Sequence, residues 1–188
     1  MKRRYFIIIC SIIVICIISC VAYYLSMLAN ATLQNRLIEM HGKTINLSFD
    51  ETEVFYNGND TTYGNSKVKK LVIFVDSASC SGCFINKLVQ YYDINENLNQ
   101  NDGQLVIVFN PPQNKIEEIR RKIIRKELPF WCVLDKTGDF LLKNPIIPDN
   151  ELLHSFTLDE NDNIILVGDP LSNPDIMNLF LKQINQQS

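Results

Sequence analysis

The chain has 188 residues, 46% of them hydrophobic, with 18 basic against 21 acidic residues and a net charge of −3. That length holds one ordinary domain and a short addition. Setting Lys2, Arg3 and Arg4 aside leaves 15 basic residues against 21 acidic ones, a balance of −6 that excludes a broad surface for nucleic acid or anionic lipid.

The addition is N-terminal. After Lys2-Arg3-Arg4 no charge occurs until Arg36, and Tyr5 to Leu28 is apolar over more than the ~20 residues a helix needs to cross a bilayer. The basic flank stays in the cytoplasm and directs the rest of the chain to the far side. Residues 1–29 therefore read as a retained signal anchor, a single transmembrane helix, with the remainder of the chain exported to the extracytoplasmic (periplasmic) side of the cell envelope. A competing reading makes Ile17-Ile18-Ser19-Cys20 a lipoprotein processing site with Cys20 acylated. The apolar run continuing through Val21-Ala22-Tyr23-Tyr24-Leu25 favours the anchor. Residues 30–41 form a helical stalk, with Leu33, Leu37 and Ile38 at helical spacing and Gly42 as its stop.

Residues 42–188 form the main domain. From Lys43 the pattern alternates, placing Ile45, Leu47 and Phe49 on one side of a strand, and a second strand through Val54-Phe55-Tyr56 meets the turn dipeptide Asn57-Gly58. The polar tip, Asn57 to Ser66, is expected to be a mobile loop. Leu71 to Val75 is a continuous apolar run, the signature of a strand buried on both faces. A polar turn, Asp76 to Ser79, leads into Cys80-Ser81-Gly82-Cys83 and an amphipathic helix carrying Phe84, Ile85, Leu88, Val89 and Tyr92.

Beyond a polar loop from Asp93 to Gly103, Leu105 to Phe109 repeats the buried-strand signature, and Pro111-Pro112 ends it. Lys115 to Leu128 predicts a helix with Ile116, Ile119, Ile123 and Ile124 inward, and Arg120, Arg121, Lys122, Arg125 and Lys126 as a solvated face. The order strand, helix, strand, helix gives a parallel pair through a right-handed crossover. Phe130 to Leu134 reads as a strand, Asp135 to Gly138 as a turn, and Asp139 to Leu142 as a short return. A loop containing Pro145 and Pro148 precedes an antiparallel hairpin, Ser155 to Leu158 and Ile164 to Val167. Asn173 caps a last helix with Pro174 in its first turn and Ile176, Leu179, Phe180 and Ile184 as its apolar face.

The chemistry lies in the Cys-x-x-Cys pair. Both thiols fall in a helix's first turn, where unpaired N–H groups and the positive dipole end favour a thiolate, so one cysteine can attack and the other resolve. Cys10, Cys16 and Cys20 are small apolar residues of the N-terminal segment, and Cys132, beside Trp131, reads the same way within its strand. The cysteines of the main domain are too few for a disulfide framework. Zinc would want four N or S ligands, and Cys132, His154 and His41 are scattered, so no metal site is expected. Asp76 has two open readings, a proton acceptor for a thiol or the end of a strand. His154 likewise either tunes a thiol, if its hairpin approaches Cys80, or caps a surface turn.

With Cys-Ser-Gly-Cys after the first long strand, then a βαβ unit, a hairpin and a final helix, the region from Gly42 to Ile184 resembles the thioredoxin superfamily. It is most similar to the membrane-anchored, exported thiol-disulfide oxidoreductases called TlpA-like. The resemblance implies an α/β thioredoxin-like fold, a central mixed sheet flanked by helices, with Cys80 as nucleophile and Cys83 as resolving thiol of a redox-active disulfide. It implies no bound cofactor, substrates among protein thiols and disulfides, and a transmembrane thiol carrier as electron donor. Ser79 stands where that family usually has Trp before the first cysteine, and Gly82 where it often has Pro before the second.

The family's cis-proline position falls on Leu153, beside His154, which marks these two as the substrate groove. A trans bond is expected there, since cis before a non-proline residue costs about 2.5–4 kcal/mol. A second register would put Pro129 at that position. The alternative function is a non-catalytic thioredoxin-fold module that binds a protein partner at the membrane surface through the groove at Leu153 and His154. For a peroxidase, the Thr/Arg-supported pocket is not identified.

Overall fold

The computed structural model describes residues 2–49, 52–79 and 81–186, residues 2–14 by backbone alone. The chain divides into two units, one ending at Glu39 and the other beginning at Met40. The first is one helix, α1 (Lys2–Met40), which runs without a break through Cys20 and from the expected anchor into the expected stalk. Its stretch Ile15–Met40 is long and apolar enough to cross a membrane. Gly42, at φ 75°, takes the left-handed conformation that turns the chain out of the helix.

In the second unit the described strands are β1 (Glu53–Tyr56), β2 (Asn59–Thr61), β3 (Lys70–Val75), β4 (Gln104–Phe109), β5 (Trp131–Leu134), β6 (Ser155–Leu158) and β7 (Ile164–Val167). They form a sheet in the order β2-β1-β5-β4-β3-β6-β7. β3 pairs with β4 and β4 with β5 in parallel, and the remaining neighbours are antiparallel. The helices are α2 (Ser81–Lys87), α3 (Tyr92–Gln100), α4 (Ile116–Lys126), α5 (Asp139–Lys143) and α6 (Pro174–Asn185).

β3 is the hinge of this arrangement, and every one of its residues is buried. Leu71, Ile73 and Val75 join Leu105, Ile107 and Phe109 of β4 in a core that includes Ile85, Leu88, Ile119, Ile123 and Phe180 from the helices. The alternate residues are buried too: Phe74 meets Phe140 of α5 at a ring separation of 5.4 Å, and Phe140 meets Phe49 at 6.2 Å. A sheet covered on both faces needs continuous apolar strands, as these are.

Several expectations are corrected. Ile45, Leu47 and Phe49 are buried in alternation as predicted, but their segment is no sheet strand. Its backbone is met instead by Asn144, whose Oδ1 accepts from Asn46 N (2.7 Å) and whose Nδ2 donates to Asn46 O (3.0 Å), with one isolated bridge between Thr44 and Asn163. The expected mobile tip contains β2, and Tyr63 beyond it packs edge-on against both Phe49 and Trp131 at 5.2 Å.

The polar stretch from Asp93 is the helix α3, not a loop. A 3₁₀ turn, Leu88–Tyr91, resets the helical phase after α2, so Tyr91, Ile94 and Leu98 are buried while Val89 is 61% exposed. Ile124 and Leu179 are likewise exposed rather than inward, and Met177 and Leu181 pack against the core from α6.

The segment from Asp139 is α5 and not a return strand. Asp135 is buried, and its carboxylate accepts from the backbone N–H groups of Thr137, Gly138 and Asp139 through Oδ1 and of Phe140 through Oδ2, so it caps a helical turn where a hairpin was expected. β5 therefore finds its antiparallel partner in β1. This placement also removes the register that used Pro129: β5 lies beyond β4, whereas the antiparallel neighbour of β3 is β6, which comes directly after His154.

Candidate functional site

The site lies at the C-terminal end of β3. Asp76 leaves the strand, and its Oδ1 accepts from Ala78 N (3.0 Å), Ser79 N (2.8 Å) and Ser79 Oγ (2.7 Å). One carboxylate oxygen thus shapes the turn that delivers the chain to α2. Cys80 lies outside the described residues. Cys83 is in the first turn of α2 and is disulfide-bonded. Ser81, between the two cysteines in sequence, is buried, and its Oγ has no hydrogen-bond partner among the described residues.

Cys83 opens onto a cleft of about 560 Å³, within the size range of small-ligand sites, whose walls include Ser79, Phe84, Lys87, Leu152 and His154. Of the predicted groove pair, His154 lines this cleft. Leu153 does not: it is 4% exposed and packs inward, and the neighbour that projects at the rim is Leu152, 74% exposed. The 3₁₀ turn Glu151–Leu153 causes this alternation, with Asn150 Oδ1 accepting from Leu152 N at its start. Peptide bonds among the described residues are trans.

His154 is neither a surface nor a solvated capping residue. It is 4% exposed; its ring lies 5.1 Å from that of Phe74, its carbonyl accepts from Phe74 N at 2.8 Å, and its Nε2 is 2.8 Å from Pro148 O. Its Nδ1 has no hydrogen-bond partner among the described residues and lies 4.0 Å from Asp76 Oδ2. The two residues with open readings in the sequence are therefore neighbours.

Two further features escaped sequence reasoning. A methyl group on Gly82 would come within 3.1 Å of Lys122 Nζ and 3.7 Å of Glu118 Oε1, so the ion pair Glu118–Lys122 (2.7 Å) of α4 stands against the turn bearing the cysteines. Lys122 thus faces Gly82 of α2 rather than only solvent. Asp169, on the cleft lining, accepts the hydroxyl proton of Tyr91 at Oδ2 (2.7 Å), and burial followed by the Asp169 charge pushes the Tyr91 hydroxyl upward in pKa. No periodicity in either segment signals these contacts, which the fold creates. Cys132 is buried in β5 and burial pushes its thiol up, which makes it an inert packing residue.

No protein-family model matches the chain, and no curated protein matches it. Solved structures do. The thioredoxin domain of a thiol-disulfide oxidoreductase from Bacteroides vulgatus aligns over 77% of this chain and 98% of its own length, at 22% identity and a TM-score of 0.51. A candidate protein disulfide isomerase from Bacteroides thetaiotaomicron aligns over 77% and 87%, at 18% identity and 0.52. A candidate electron transfer protein from Aquifex aeolicus aligns over 78% and 99%, at 13% identity and 0.51. The chain has a thioredoxin-like fold.

Proposed function

We propose that the chain is a thiol-disulfide oxidoreductase tethered to a membrane by α1, with residues 1–29 as signal anchor, 30–41 as stalk and 42–188 as the exported catalytic domain. The observation that carries this reading is the disulfide-bonded Cys83 in the first turn of α2, open to a cleft at the end of the central strand. Cys80 is its partner and the nucleophile. The Cys80 thiolate attacks a substrate disulfide and forms a mixed disulfide. Cys83 then attacks Cys80 Sγ, the substrate leaves as a dithiol, and two electrons have passed from the protein to the substrate. A membrane-embedded thiol carrier restores the dithiol from the other side, because no soluble reducing pool reaches the periplasmic face.

The neighbours with this fold include a thiol-disulfide oxidoreductase domain, which supports the reading. Of the two residues on which the binding-module alternative relied, His154 lines the cleft and Leu153 is buried outside its lining. The test uses the full chain in detergent micelles with a disulfide-bonded protein substrate and dithiothreitol as reductant. Cys80→Ser abolishes turnover, and reduced Cys83→Ser, freed of dithiothreitol before it meets the substrate, accumulates a covalent enzyme–substrate species that added reductant dissolves. Turnover at the wild-type rate by both variants would sink the proposal.

A further inference from the structure

A second cleft, of about 300 Å³, opens at the other end of the sheet from Cys83. Gln104 and Trp131, on its lining, are the first residues of β4 and β5, whereas Cys83 comes after the last residue of β3, and these three strands run parallel. The six residues of β4 alone put roughly 20 Å between the two clefts. Thiol exchange makes no use of the second one. Its walls are side-chain amides and aromatic rings. Asn95 and Asn99 lie one turn apart on α3 and line it together with Gln104, Tyr56 and Trp131. Asn95 is 5% exposed. Its Nδ2 donates to Pro129 O at 2.9 Å, while its Oδ1 has no hydrogen-bond partner among the described residues and is not sealed in the interior, so the cleft is where this acceptor opens. Gln104 Oε1 accepts from the Tyr63 hydroxyl at 3.3 Å, and its Nε2 and the side-chain amide of Asn99 have no partner among the described residues. A buried amide left half unpaired costs stability that an apolar side chain would not.

We propose that this cleft binds a neutral saccharide, with the open amides of Asn95, Asn99 and Gln104 taking its hydroxyls and the rings of Tyr56 and Trp131 taking its apolar ring face. Amides present donors and acceptors side by side, which suits hydroxyl groups that both donate and accept. Asp102 brings the one formal charge on the lining, so an ionic ligand finds no matching set. The Tyr56 and Trp131 rings, with centroids 5.0 Å apart, supply the flat apolar surface on which the C–H face of a sugar packs. The volume is at the lower end of the small-ligand range, room for a short saccharide and not for a folded partner. An extended peptide would need a free strand edge, and the bordering strands have none: β1 lies between β2 and β5, β5 between β1 and β4, and β4 between β5 and β3. Saccharide binding here leaves the disulfide at the far end open to its own substrate.

Trp131 is the chain's one tryptophan, so its fluorescence reports on this cleft. The full chain, in micelles of a detergent without a sugar headgroup, is titrated up to about 20 mM with chitotriose, cellotriose or maltotriose, and with an alanine tripeptide as control. Calorimetry follows the same titrations, so binding that leaves the fluorescence unmoved is also seen. A saturable response to at least one saccharide is expected, chitotriose or cellotriose marking a β-linked glycan and maltotriose an α-linked one. Asn99→Ala removes an exposed amide that holds nothing in the fold and favours the helix, and it is expected to weaken the affinity about tenfold. Tyr56→Thr keeps a strand-forming residue, removes the ring, and is expected to weaken it by a similar factor. Reduction of the Cys80–Cys83 disulfide leaves the affinity unchanged.

No saturable signal by either method with any of the three saccharides overturns the proposal, as does full wild-type affinity in either variant. A response to the tripeptide and to no saccharide makes the cleft a peptide site and overturns it too. None of these results bears on thiol exchange at the other end of the sheet.

Discussion

The ammonium of Lys70, buried at the start of β3, donates to Asp162 Oδ1 at 2.7 Å in the turn between β6 and β7. Its other protons go to the carbonyls of Ser66 (2.7 Å) and Val68 (3.0 Å), so all three donors of the buried cation are satisfied. Asp162 Oδ2 accepts from Asn65 Nδ2 at 2.9 Å. One ion pair thereby ties the entry of the central strand to the hairpin beside it and to the loop before it.

Removing the carboxylate strands the cation. Asp162→Asn tolerates the left-handed backbone at this position (φ 63°) but cannot neutralise Lys70, and is expected to cost roughly 3 kcal/mol. Lys70→Met, which removes the buried charge altogether, is expected to cost less. The urea midpoints of both variants measure the order, and a reversed order contradicts the account of this pair.

Glu53 on β1 pairs with Arg120 of α4 at 2.8 Å and with Lys136 after β5. Burial pushes its carboxyl up, but the hydrogen bonds and charges of Lys136 and Arg120 outweigh burial and hold it below its ordinary 4.5. The folded state then binds this proton less readily than the unfolded chain, so the stabilisation is present above 4.5 and is lost as pH falls below it. Glu53→Gln is expected to be less stable at neutral pH and to lose less on acidification. Denaturation midpoints taken from neutral pH downward check the slope, and identical slopes would contradict it.

Two glycines should respond in opposite ways to alanine. At Gly58, φ is 72° and a Cβ would lie 2.5 Å from the Ile124 carbonyl oxygen, a backbone atom that cannot yield. Gly58→Ala should cost about 1–3 kcal/mol. At Gly82 the atom met at 3.1 Å is the mobile end of Lys122, and alanine favours the helix. Gly82→Ala should fold within about 1 kcal/mol of wild type. Thermal melts of the two variants test the contrast.

Much of this arrangement was legible in the chain. Leu71 to Val75 and Leu105 to Phe109 are continuous apolar runs that read as strands covered on both faces, and the Cys80-Ser81-Gly82-Cys83 motif follows the first of them in the sequence. The parts that were not legible depended on side chains meeting across the fold. Asp135 turned an expected hairpin into a capped helix, the 3₁₀ turn at Leu88–Tyr91 rotated the apolar face away from Val89, and Asn144 replaced a strand partner for Asn46. At the site, Asp76 and His154 lie far apart in the chain, and each alone supported two readings. Their contact is made by the pairing of β6 with β3.

The most direct test of the central claim is the reduction potential of the Cys80–Cys83 couple in the full chain. The protein is equilibrated against glutathione and dithiothreitol buffers, and its thiols are read by alkylation and mass spectrometry. A reversible two-electron couple lying between about −270 mV, as in thioredoxin, and about −120 mV, as in DsbA, is the predicted result. A pair that stays oxidised in the folded protein under every buffer, or two thiols that never join, would contradict the claim that this site exchanges disulfides.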